Sequence, residues 1–417
     1  MTKPAPRNTA ALLNRDFLKA IPKVDLHVHL DGSIRLSTLI ELAKEHKIKL
    51  PSYSVSGLEK LVFKERYESL VDYLQGFRYT VGVMQTPEAI ERISYEFAQD
   101  NQAEGVRYVE VRFAPQLLVN YRQDISAVIK AVYRGLAAAA KEFNARPEVV
   151  SGKEPAFHFG IITCAMRYFN PSMSDYYRDF HGVHGYSPAK TVFGLASLEL
   201  ARAVVKIRDV EGIPVVGFDL AGPEAGYPAW DHVEAYRYAH RHFLNKTVHA
   251  GEAYGPESIF QAITDLHADR IGHGYHLFDH EMITSRDVLD KKAYVERLAQ
   301  YIAERRITIE VCLTSNQQTN PTIKRMSQHA YAKMREHKLS VTFCTDNRSI
   351  SRTTVTGELE LAIRSFSLTP GELKNSLIYG FKRSFYPWSY KEKRSYVRSL
   401  LDYYEKLARA YGVASEE

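Results

Sequence analysis

Cysteine is scarce in this sequence, which contains three: Cys164, Cys312 and Cys344. Their odd number and the absence of a CxxC pair exclude a disulfide framework and a cysteine-ligated zinc site. Long apolar runs are also absent: none reaches the length of a transmembrane span, and residues 1–15 hold none of signal-peptide length. We therefore predict a protein of the reducing cytoplasm with no membrane partner, and a flexible segment over residues 1–15.

A strong charge of either sign is missing as well. The 55 Lys and Arg residues nearly balance the 49 Asp and Glu residues, which leaves a formal charge of +6. The basic residues are interspersed with acidic ones, and the densest basic run, Lys391 to Arg398, is short. Because nucleic-acid binding needs a concentrated basic stripe, we expect no nucleic-acid partner. No feature of the sequence indicates an oligomeric state.

The glycine-rich turns GxGxxG and GxxxxGK are absent, which disfavours a doubly wound nucleotide-binding sheet. The sequence has instead eight short runs rich in Val, Ile and Phe, typical of strands buried on both faces. These runs are Val24–His29, Val106–Phe113, Phe157–Cys164, Val215–Leu220, Lys246–His249, Arg270–His273, Thr308–Cys312 and Ser340–Asp346. Amphipathic segments such as Pro87–Ala103 and Ile125–Phe143 separate them. The alternation predicts an α/β protein with one (β/α)8 barrel over residues 16–417, and extra helices after strand one and at the C-terminus.

Three connections are longer than the barrel needs. Leu30–Gly105 carries apolar residues at roughly helical spacing, including Leu58, Leu61, Phe63, Leu74 and Phe77, which indicates either ordinary helical core or an apolar lid over the site. Met166–Thr191 carries His181 and His184, three residues apart, but no carboxylate at the offset that a metal pair needs. The third, Tyr275–Ala293, is polar and uninformative.

Ionisable side chains are placed at the ends of the predicted strands. Strand one ends in His27-Val28-His29, and residues two apart in a strand face the same way, so both imidazoles point into the barrel mouth. His249, His273 and Asp346 end strands five, six and eight, at the functional face of this fold. A buried polar group is costly there unless it is paired or binds a metal.

Three neutral imidazoles, from His27, His29 and His249, together with the carboxylate of Asp346 suit Zn²⁺ and leave a position open for water or substrate. Binuclear hydrolases on this fold commonly bridge two metals with a modified lysine that ends strand four. Here that strand ends in Phe-Asp-Leu-Ala-Gly, without a lysine. We therefore predict one zinc ion per chain.

Seven short motifs stand in order along the chain: DLHVHLDGS (25–33), YVEVRFAP (108–115), GFDLAGPE (217–224), HAGE (249–252), RIGHG (270–274), TSNQQT (314–319) and TDN (345–347). With these motifs the chain resembles the adenosine deaminases, metal-dependent enzymes of the amidohydrolase superfamily. The resemblance extends over nearly the whole barrel.

The resemblance implies a role for each motif. Zinc would activate water for attack on purine C6, since a bound zinc lowers the pKa of water to near 7. His273 would orient that water and help to remove its proton, with Asp346 also in contact. Glu252 would donate a proton to purine N1, so its carboxyl must be protonated when substrate binds. The backbone N–H of Gly222 would donate to purine N3, where a side chain would obstruct close approach.

Two residues bear on the substrate. In the family, an aspartate at the position of Asp31 reaches the ribose 5′-hydroxyl, whereas relatives that act on free adenine usually carry glutamate there. Asp31 therefore favours the nucleoside, the alternative being a turn residue before Gly32. Asn347 stands where better-known members have the second aspartate of TDDP, and an amide can donate to purine N7 at any pH.

The predicted activity is therefore hydrolytic deamination of adenosine, and of 2′-deoxyadenosine, to inosine and ammonia. The main alternative is a deaminase of another 6-aminopurine, either adenine or a 5′-modified adenosine such as aminofutalosine. A non-catalytic nucleoside-binding protein would have lost a metal ligand or Glu252, and all of them are present. A nucleic-acid deaminase of the HxE…PCxxC type would need the missing cysteine pair.

Overall fold

Eight parallel strands form the centre of the molecule in the computed structural model, which describes residues 9–413. The strands are β1 (Lys23–His29), β2 (Val106–Phe113), β3 (His158–Met166), β4 (Val215–Ala221), β5 (Asn245–Ala250), β6 (Arg270–His273), β7 (Thr308–Val311) and β8 (Val341–Phe343). Each pairs in parallel with the next in chain order. The predicted (β/α)8 barrel is confirmed, and each predicted strand overlaps an observed one.

Backbone hydrogen bonds beyond the last regular strand close the barrel. Val28 and Asp346 form a parallel bridge, in which Asp346 N–H donates to the carbonyl of His27 at 2.8 Å and its carbonyl accepts from His29 N–H at 2.7 Å. The Asp25 carboxylate, fully buried, accepts a hydrogen bond from the Thr345 hydroxyl on the other side of the same seam. The junction of β1 and β8 is therefore made by the residues predicted to bind the metal.

Helices surround the barrel and fill its long connections. In the described part of the chain they are α1 (Thr9–Leu12), α2 (Arg15–Ala20), α3 (Leu36–Glu45), α4 (Val55–Leu61), α5 (Leu70–Leu74), α6 (Phe77–Val83), α7 (Pro87–Ala103), α8 (Ile125–Asn144), α9 (Pro147–Val150), α10 (Asp175–Val183), α11 (Ala189–Glu211), α12 (Val233–Arg241), α13 (Pro256–Thr264), α14 (Lys291–Arg305), α15 (Leu313–Thr319), α16 (Tyr331–Glu336), α17 (Val355–Phe366), α18 (Pro370–Arg383) and α19 (Tyr390–Ala410). Short 3₁₀ turns occupy Pro115–Leu117, Ala229–His232, Tyr275–Phe278, His280–Met282 and Met326–Gln328. The extra helices predicted after strand one are α3 to α6, and those at the C-terminus are α18 and α19.

The start of the chain departs in part from its prediction. Residues 1–8 of the expected flexible segment lie outside the described residues. From Thr9 onward the segment is not a loose tail, because it forms α1 and Leu12 is fully buried in the core. Apolar burial at Leu12 and, in α2, at Phe17 gives this part of the chain a fixed position against the barrel. No helix among the described residues is long and apolar enough to cross a membrane.

Charged side chains occupy the interior of the barrel below its mouth. Arg270 on β6 donates to Glu310 on β7 at 2.6 Å and also pairs with Glu110 on β2. Glu110 in turn accepts from the backbone N–H of Phe385, which follows α18. All three side chains are buried, so each charge depends on its partners for the stabilisation that water would otherwise give. The polar interior therefore extends from the C-terminal helices towards the predicted metal site.

Candidate metal-dependent active site

Four side chains predicted to bind zinc come together at the C-terminal end of the barrel. His27, His29, His249 and Asp346 are buried, and each presents a ligand atom within 4.8 Å of the others. Nε2 of His29 lies 3.1 Å from Nε2 of His249, and both His27 Nε2 and His29 Nε2 lie 3.5 Å from Asp346 Oδ1. In the described part of the chain this is the one such cluster. His181 and His184 do not belong to it.

The carboxylates behind two of the imidazoles fit a divalent metal. Nδ1 of His27 forms a hydrogen bond with Glu310 Oε2 at 2.8 Å, and Nδ1 of His249 lies 3.0 Å from Asp219 Oδ2 as an ion-pair contact. A carboxylate at Nδ1 holds the proton there and leaves the Nε2 lone pair free for a metal. Nε2 of His27 is buried without a hydrogen-bond partner, which is costly unless a ligand completes it. A donor set of three imidazoles and one carboxylate suits a divalent metal such as Zn²⁺.

Arg112 connects the two carboxylates that orient the histidines. Its guanidinium lies 3.2 Å from Asp219 Oδ2 and 2.9 Å from Glu310 Oε2, and all three side chains are buried. Burial alone would raise the pKa of Asp219, but the charges of His249 and Arg112 hold it well below its usual value. The charges of Arg112 and Arg270 likewise hold the pKa of Glu310 below its usual value against the effect of burial, so both carboxylates stay ionised beside the candidate ligand imidazoles.

Glu252 lies beside the metal cluster with its carboxyl in an unusual environment. Its Oε1 is 3.6 Å from Nε2 of His273. Burial raises the pKa of Glu252 to about 8, against the charge of His249, and the charges of Asp346 and Glu224 add to the rise. A carboxyl with this pKa is mostly protonated at neutral pH and can donate a proton.

The loop that carries Glu252 is held by one carboxylate. Glu224, which follows β4, is buried and accepts from four successive backbone N–H groups, those of residues 251 to 254, at 2.7–3.0 Å. Four charge-assisted hydrogen bonds in one turn leave little freedom to the backbone. Glu224 therefore fixes the direction in which Glu252 points.

His273 and Asp346 both adopt left-handed backbone conformations, with φ of 64° and 58°. Such conformations cost a non-glycine residue energy and persist where the surroundings impose them, often at functional sites. The Ser315 hydroxyl donates to Asp346 Oδ2 at 2.6 Å, and Nδ1 of His273 lies 3.0 Å from the amide nitrogen of Asn316. Both side chains are thus fixed by the first turn of α15.

The three residues predicted to contact substrate line the same cavity. Asp31 and Asn347 are buried, and each has an Oδ1 atom without a hydrogen-bond partner. Burial raises the pKa of Asp31 to about 7. Gly222 has a φ of 99°, which favours glycine, and a Cβ there would lie 3.3 Å from Met166 Cε. Gly32 is constrained by its neighbour, because a Cβ at that position would overlap the side chain of Asn347.

The cavity has a volume of about 790 Å³ and opens from the metal cluster towards helices α5, α6 and α10. Leu74 and Phe77 line its wall, whereas Leu58 and Phe63 are fully buried, as the interpretation of ordinary helical core predicts. The alternative, an apolar lid over the site, stays a prediction for Leu74 and Phe77. Leu61 is 53% exposed and belongs neither to the core nor to the cavity wall.

The residues that support the site were not assigned from the sequence. Asp219 and Glu224 lie inside a quoted motif without a role of their own, and Arg112 and Glu310 were treated as parts of apolar strands. A signal for them exists, since a charged residue inside a strand buried on both faces requires a buried partner. Arg167, after β3, is a further example: it is fully buried and donates to the carbonyl of His249 at 2.7 Å.

Comparison with known proteins places these residues in a family. The model of the family described as adenosine deaminase matches residues 22–180 and 191–402. An adenosine deaminase of Mycolicibacterium vanbaalenii is 34% identical over 375 residues, which are 89% of this chain and 92% of that protein. A probable adenosine deaminase of Dictyostelium discoideum is also 34% identical over 89% of this chain, but the match spans 41% of that longer protein.

Solved structures share the fold at lower identity. The adenine deaminase of Arthrobacter aurescens superposes with a TM-score of 0.71 at 19% identity, covering 93% of this chain and 100% of that one. An amidohydrolase of Burkholderia ambifaria with bound Zn has a TM-score of 0.73 at 20% identity, covering 96% and 95%. The Arabidopsis protein ADAL complexed with IMP has a TM-score of 0.70 at 22% identity, covering 95% and 99%. At these identities the likeness establishes the barrel.

Replacing Asp219 by Asn should weaken metal binding while the fold is kept. The variant loses the charge that holds the Nδ1 proton of His249, and loss of such a partner typically costs about 10–100-fold in metal affinity. Competition with a chromogenic chelator measures the affinity directly. Asp209→Asn, at an exposed ion pair with Arg208, is the matched control and should leave the affinity unchanged. Equal affinities in the two variants would show that Asp219 does not support the site.

Proposed function

Because the chain belongs to the adenosine deaminase family, we propose that it removes the 6-amino group of adenosine and 2′-deoxyadenosine by hydrolysis, with inosine or 2′-deoxyinosine and ammonia as products. The family makes the chain an aminohydrolase. The observation that carries the proposal is the position of Glu252, a buried carboxyl with a raised pKa, within the cavity that three of the four candidate metal ligands, His29, His249 and Asp346, also line.

We propose that the metal is a single Zn²⁺, held by His27, His29, His249 and Asp346. When bound, zinc supplies Lewis acidity that makes water a usable nucleophile at neutral pH. The end of β4 supports one metal rather than two, because it offers Asp219 to a histidine and carries no lysine to bridge a second ion.

Glu252 has the proton that the purine needs. Attack at C6 places negative charge on the ring, and a proton delivered to N1 removes that charge. Because burial raises its pKa to about 8, Glu252 is protonated at neutral pH and can deliver this proton. Burial disfavours the charged form of a carboxyl, which is the physical cause of the raised pKa of Glu252.

A chain of hydrogen bonds determines which ring nitrogen of His273 carries the proton. The backbone N–H of Tyr331 must donate, so Nδ1 of His329, 3.0 Å away, accepts and carries no proton. Nε2 of His329 then donates to Asn316 Oδ1 at 3.1 Å, and the amide nitrogen of Asn316 donates to Nδ1 of His273 at 3.0 Å. Neutral His273 therefore carries its proton on Nε2, the atom nearest to Glu252.

This tautomer favours a role for His273 that differs from the one expected from the sequence. With a proton on Nε2 and an acceptor at Nδ1, the neutral ring donates a hydrogen bond into the site and cannot take a proton there. Burial, together with the charge of His27, also lowers its pKa well below the usual value. We therefore propose that His273 orients the attacking oxygen as a donor, and that Asn316 and His329 are positioning residues that act through it.

The remaining contacts follow the resemblance. Asp31 would bond the ribose 5′-hydroxyl, the Gly222 N–H would donate to purine N3, and the Asn347 amide would donate to N7. The buried Oδ1 of Asp31 lacks a hydrogen-bond partner among the described residues, which supports this role because a buried polar atom normally has one.

A second candidate is favoured by the size of the cavity. Its volume of about 790 Å³ lies high in the range of small-molecule sites, about 300–1,000 Å³, and its outer wall carries Arg78, Asn120 and Arg178. This space can receive a substituent on the ribose 5′-carbon, so a 5′-modified adenosine is the alternative substrate. Free adenine would leave Asp31 and most of the outer cavity without a contact.

Adenosine, 2′-deoxyadenosine, adenine and 5′-substituted adenosines should be compared as substrates of the zinc-loaded protein by the change in purine ultraviolet absorbance. We expect kcat/KM for adenosine and 2′-deoxyadenosine to agree within about tenfold, because no contact proposed here involves the 2′-hydroxyl. Adenine should be worse by about 10²-fold or more, since it leaves the buried Asp31 unpaired. Turnover of 5′-substituted adenosines without turnover of adenosine would replace the first proposal by the second.

Glu252→Gln should lower kcat by about 10²–10⁴-fold, because the isosteric amide cannot transfer a proton to N1. The metal content should remain that of the unmodified protein, which separates loss of the acid from loss of the site. Glu281→Gln, at a side chain that is 80% exposed, is the matched control and should be fully active. In the unmodified protein kcat should fall as the pH rises through about 8, where the protonated form of Glu252 is lost. Near-normal turnover by the Glu252→Gln variant would remove Glu252 from the mechanism.

The proposed position of the His273 proton predicts different effects for two nearly isosteric substitutions. Asn316→Asp offers acceptors on both sides and should move the His273 proton to Nδ1, lowering kcat by about 10-fold or more with little change in KM. His329→Gln keeps a donor towards Asn316 and should retain most of the activity. Nitrogen-15 spectra of labelled histidine report the tautomer without any turnover. The role proposed for His273 is wrong if the Asn316→Asp variant keeps both its activity and the Nε2 proton.

A further inference from the structure

The face of the barrel opposite the active site contains a second large cavity, called the basic cleft here. It has a volume of about 1250 Å³ and lies between the residues that lead into β7 and β8 and the C-terminal helices α18 and α19. Eight of its lining residues are cationic: Arg306, Lys338, Lys382, Arg383, Lys391, Lys393, Arg394 and Arg398. Among the described residues that line it, none is Asp or Glu.

The cations of the basic cleft are left without acidic partners. Of the eight, Arg398 forms an ion pair, with Asp402 at 3.2 Å, and the other seven form none within the described range 9–413. The ammonium of Lys393 donates to the carbonyls of Lys382 and Ser384, at 2.9 and 2.6 Å. Lysines and arginines without an ion pair also occur elsewhere in the described chain, so the basic cleft is distinguished by the convergence of seven of them on one cavity.

The local charge of the cleft is large for this protein. Its eight cations exceed the formal charge of +6 that the whole chain carries, from 55 Lys and Arg residues against 49 Asp and Glu residues. The cleft is therefore a local concentration of positive charge in a chain whose charges nearly balance. The sequence shows one short basic run, Lys391 to Arg398. The fold brings residues 306, 338, 382 and 383, from three other segments, to the same cleft.

This concentration costs stability unless an anion compensates it. On α19, Lys391, Arg394 and Arg398 are three and four residues apart and so share one face, where like charges repel. A concave, low-dielectric wall strengthens that repulsion and equally strengthens attraction for an anion. Arg and Lys donors converging on one cavity are the groups that bind phosphate oxygens.

Two exposed tyrosines give the basic cleft an aromatic edge. Tyr379 and Tyr390 are 38% and 75% exposed, and both line the cavity. The guanidinium of Arg394 lies 5.9 Å from the ring centre of Tyr390. Phosphate groups would contact the cations, while a flat base could stack on a tyrosine ring. Eight cations around one cleft suit a compact anionic ligand better than an extended strand, whose phosphates need a stripe of charge.

We propose that the basic cleft binds a polyphosphate group, free or carried by a nucleotide, at a site distinct from the active site. Its position beneath the barrel separates it from the metal cluster, so binding there does not require the substrate to be displaced. The ligand class follows from many unpaired cations, no lining carboxylate among the described residues and an aromatic edge.

The test is calorimetric titration of the zinc-loaded full chain with inorganic triphosphate and with UTP, which lacks the 6-aminopurine of the proposed substrate. We expect micromolar to submillimolar binding of both that weakens as salt is added. Tighter binding of UTP would assign the tyrosines to the base, and equal binding would assign the whole interaction to the phosphates. Absence of binding by either at millimolar concentration would overturn the proposal.

The matched variants remove equal charge from two places. The double substitution Lys391→Gln with Arg394→Gln removes two positive charges from the basic cleft and should weaken triphosphate binding by about tenfold or more. Lys292→Gln with Arg297→Gln, on the exposed side of α14, removes the same charge elsewhere and should leave binding within about twofold. Both proteins should deaminate adenosine as the parent does, which shows that they are folded. Equal weakening in the two variants, or tighter binding of a single-stranded oligonucleotide than of triphosphate, would contradict a polyphosphate site.

Discussion

The pairing of Asp346 with strand β1 is the constraint on which the rest of the structure depends. Asp346, which lies beyond the end of β8, closes the barrel by bonding the backbone of both His27 and His29. The same residue presents a carboxylate oxygen 3.5 Å from Nε2 of each of those histidines. One residue therefore both closes the barrel and completes the candidate metal site. The left-handed backbone at Asp346 is the local cost of placing its carboxylate there.

A network of buried charges connects the surroundings of His27 with those of His249. Arg112 joins Glu310 behind His27 to Asp219 behind His249, and Arg270 continues the network towards the C-terminal helices. Each ion in it would be strongly destabilising alone, since the desolvation of a buried charge costs several kcal/mol. In combination the ions favour a proton on Nδ1 of His27 and of His249. The site thus combines ionised carboxylates behind the candidate ligands with a protonated carboxyl at Glu252. The protonation states differ because Glu252 is buried without an ion pair to Arg or Lys among the described residues, whereas the other carboxylates face Arg112.

The fold and the ligand set were predictable because they rest on local patterns. Apolar runs of strand length locate all eight strands, and two-residue spacing places His27 and His29 on one face. The supporting residues were not predictable in the same way, because their partners are distant in sequence. His27 and Glu310 are 283 positions apart, and the chain of hydrogen bonds from Tyr331 to His273 combines a loop, a helix and a strand end. The basic cleft was missed for the same reason, since four of its cations come from outside the visible basic run. At the N-terminus, composition could not show that Leu12 is packed against the core.

The central claim is that one metal ion at His27, His29, His249 and Asp346 is sufficient for deamination of adenosine. Metal-free protein should be titrated with Zn²⁺ while turnover of adenosine is followed. Activity should be absent at the start, rise in proportion to the added metal and reach its plateau at one equivalent per chain. Full activity before any metal is added, or a plateau that requires two equivalents, would contradict this claim.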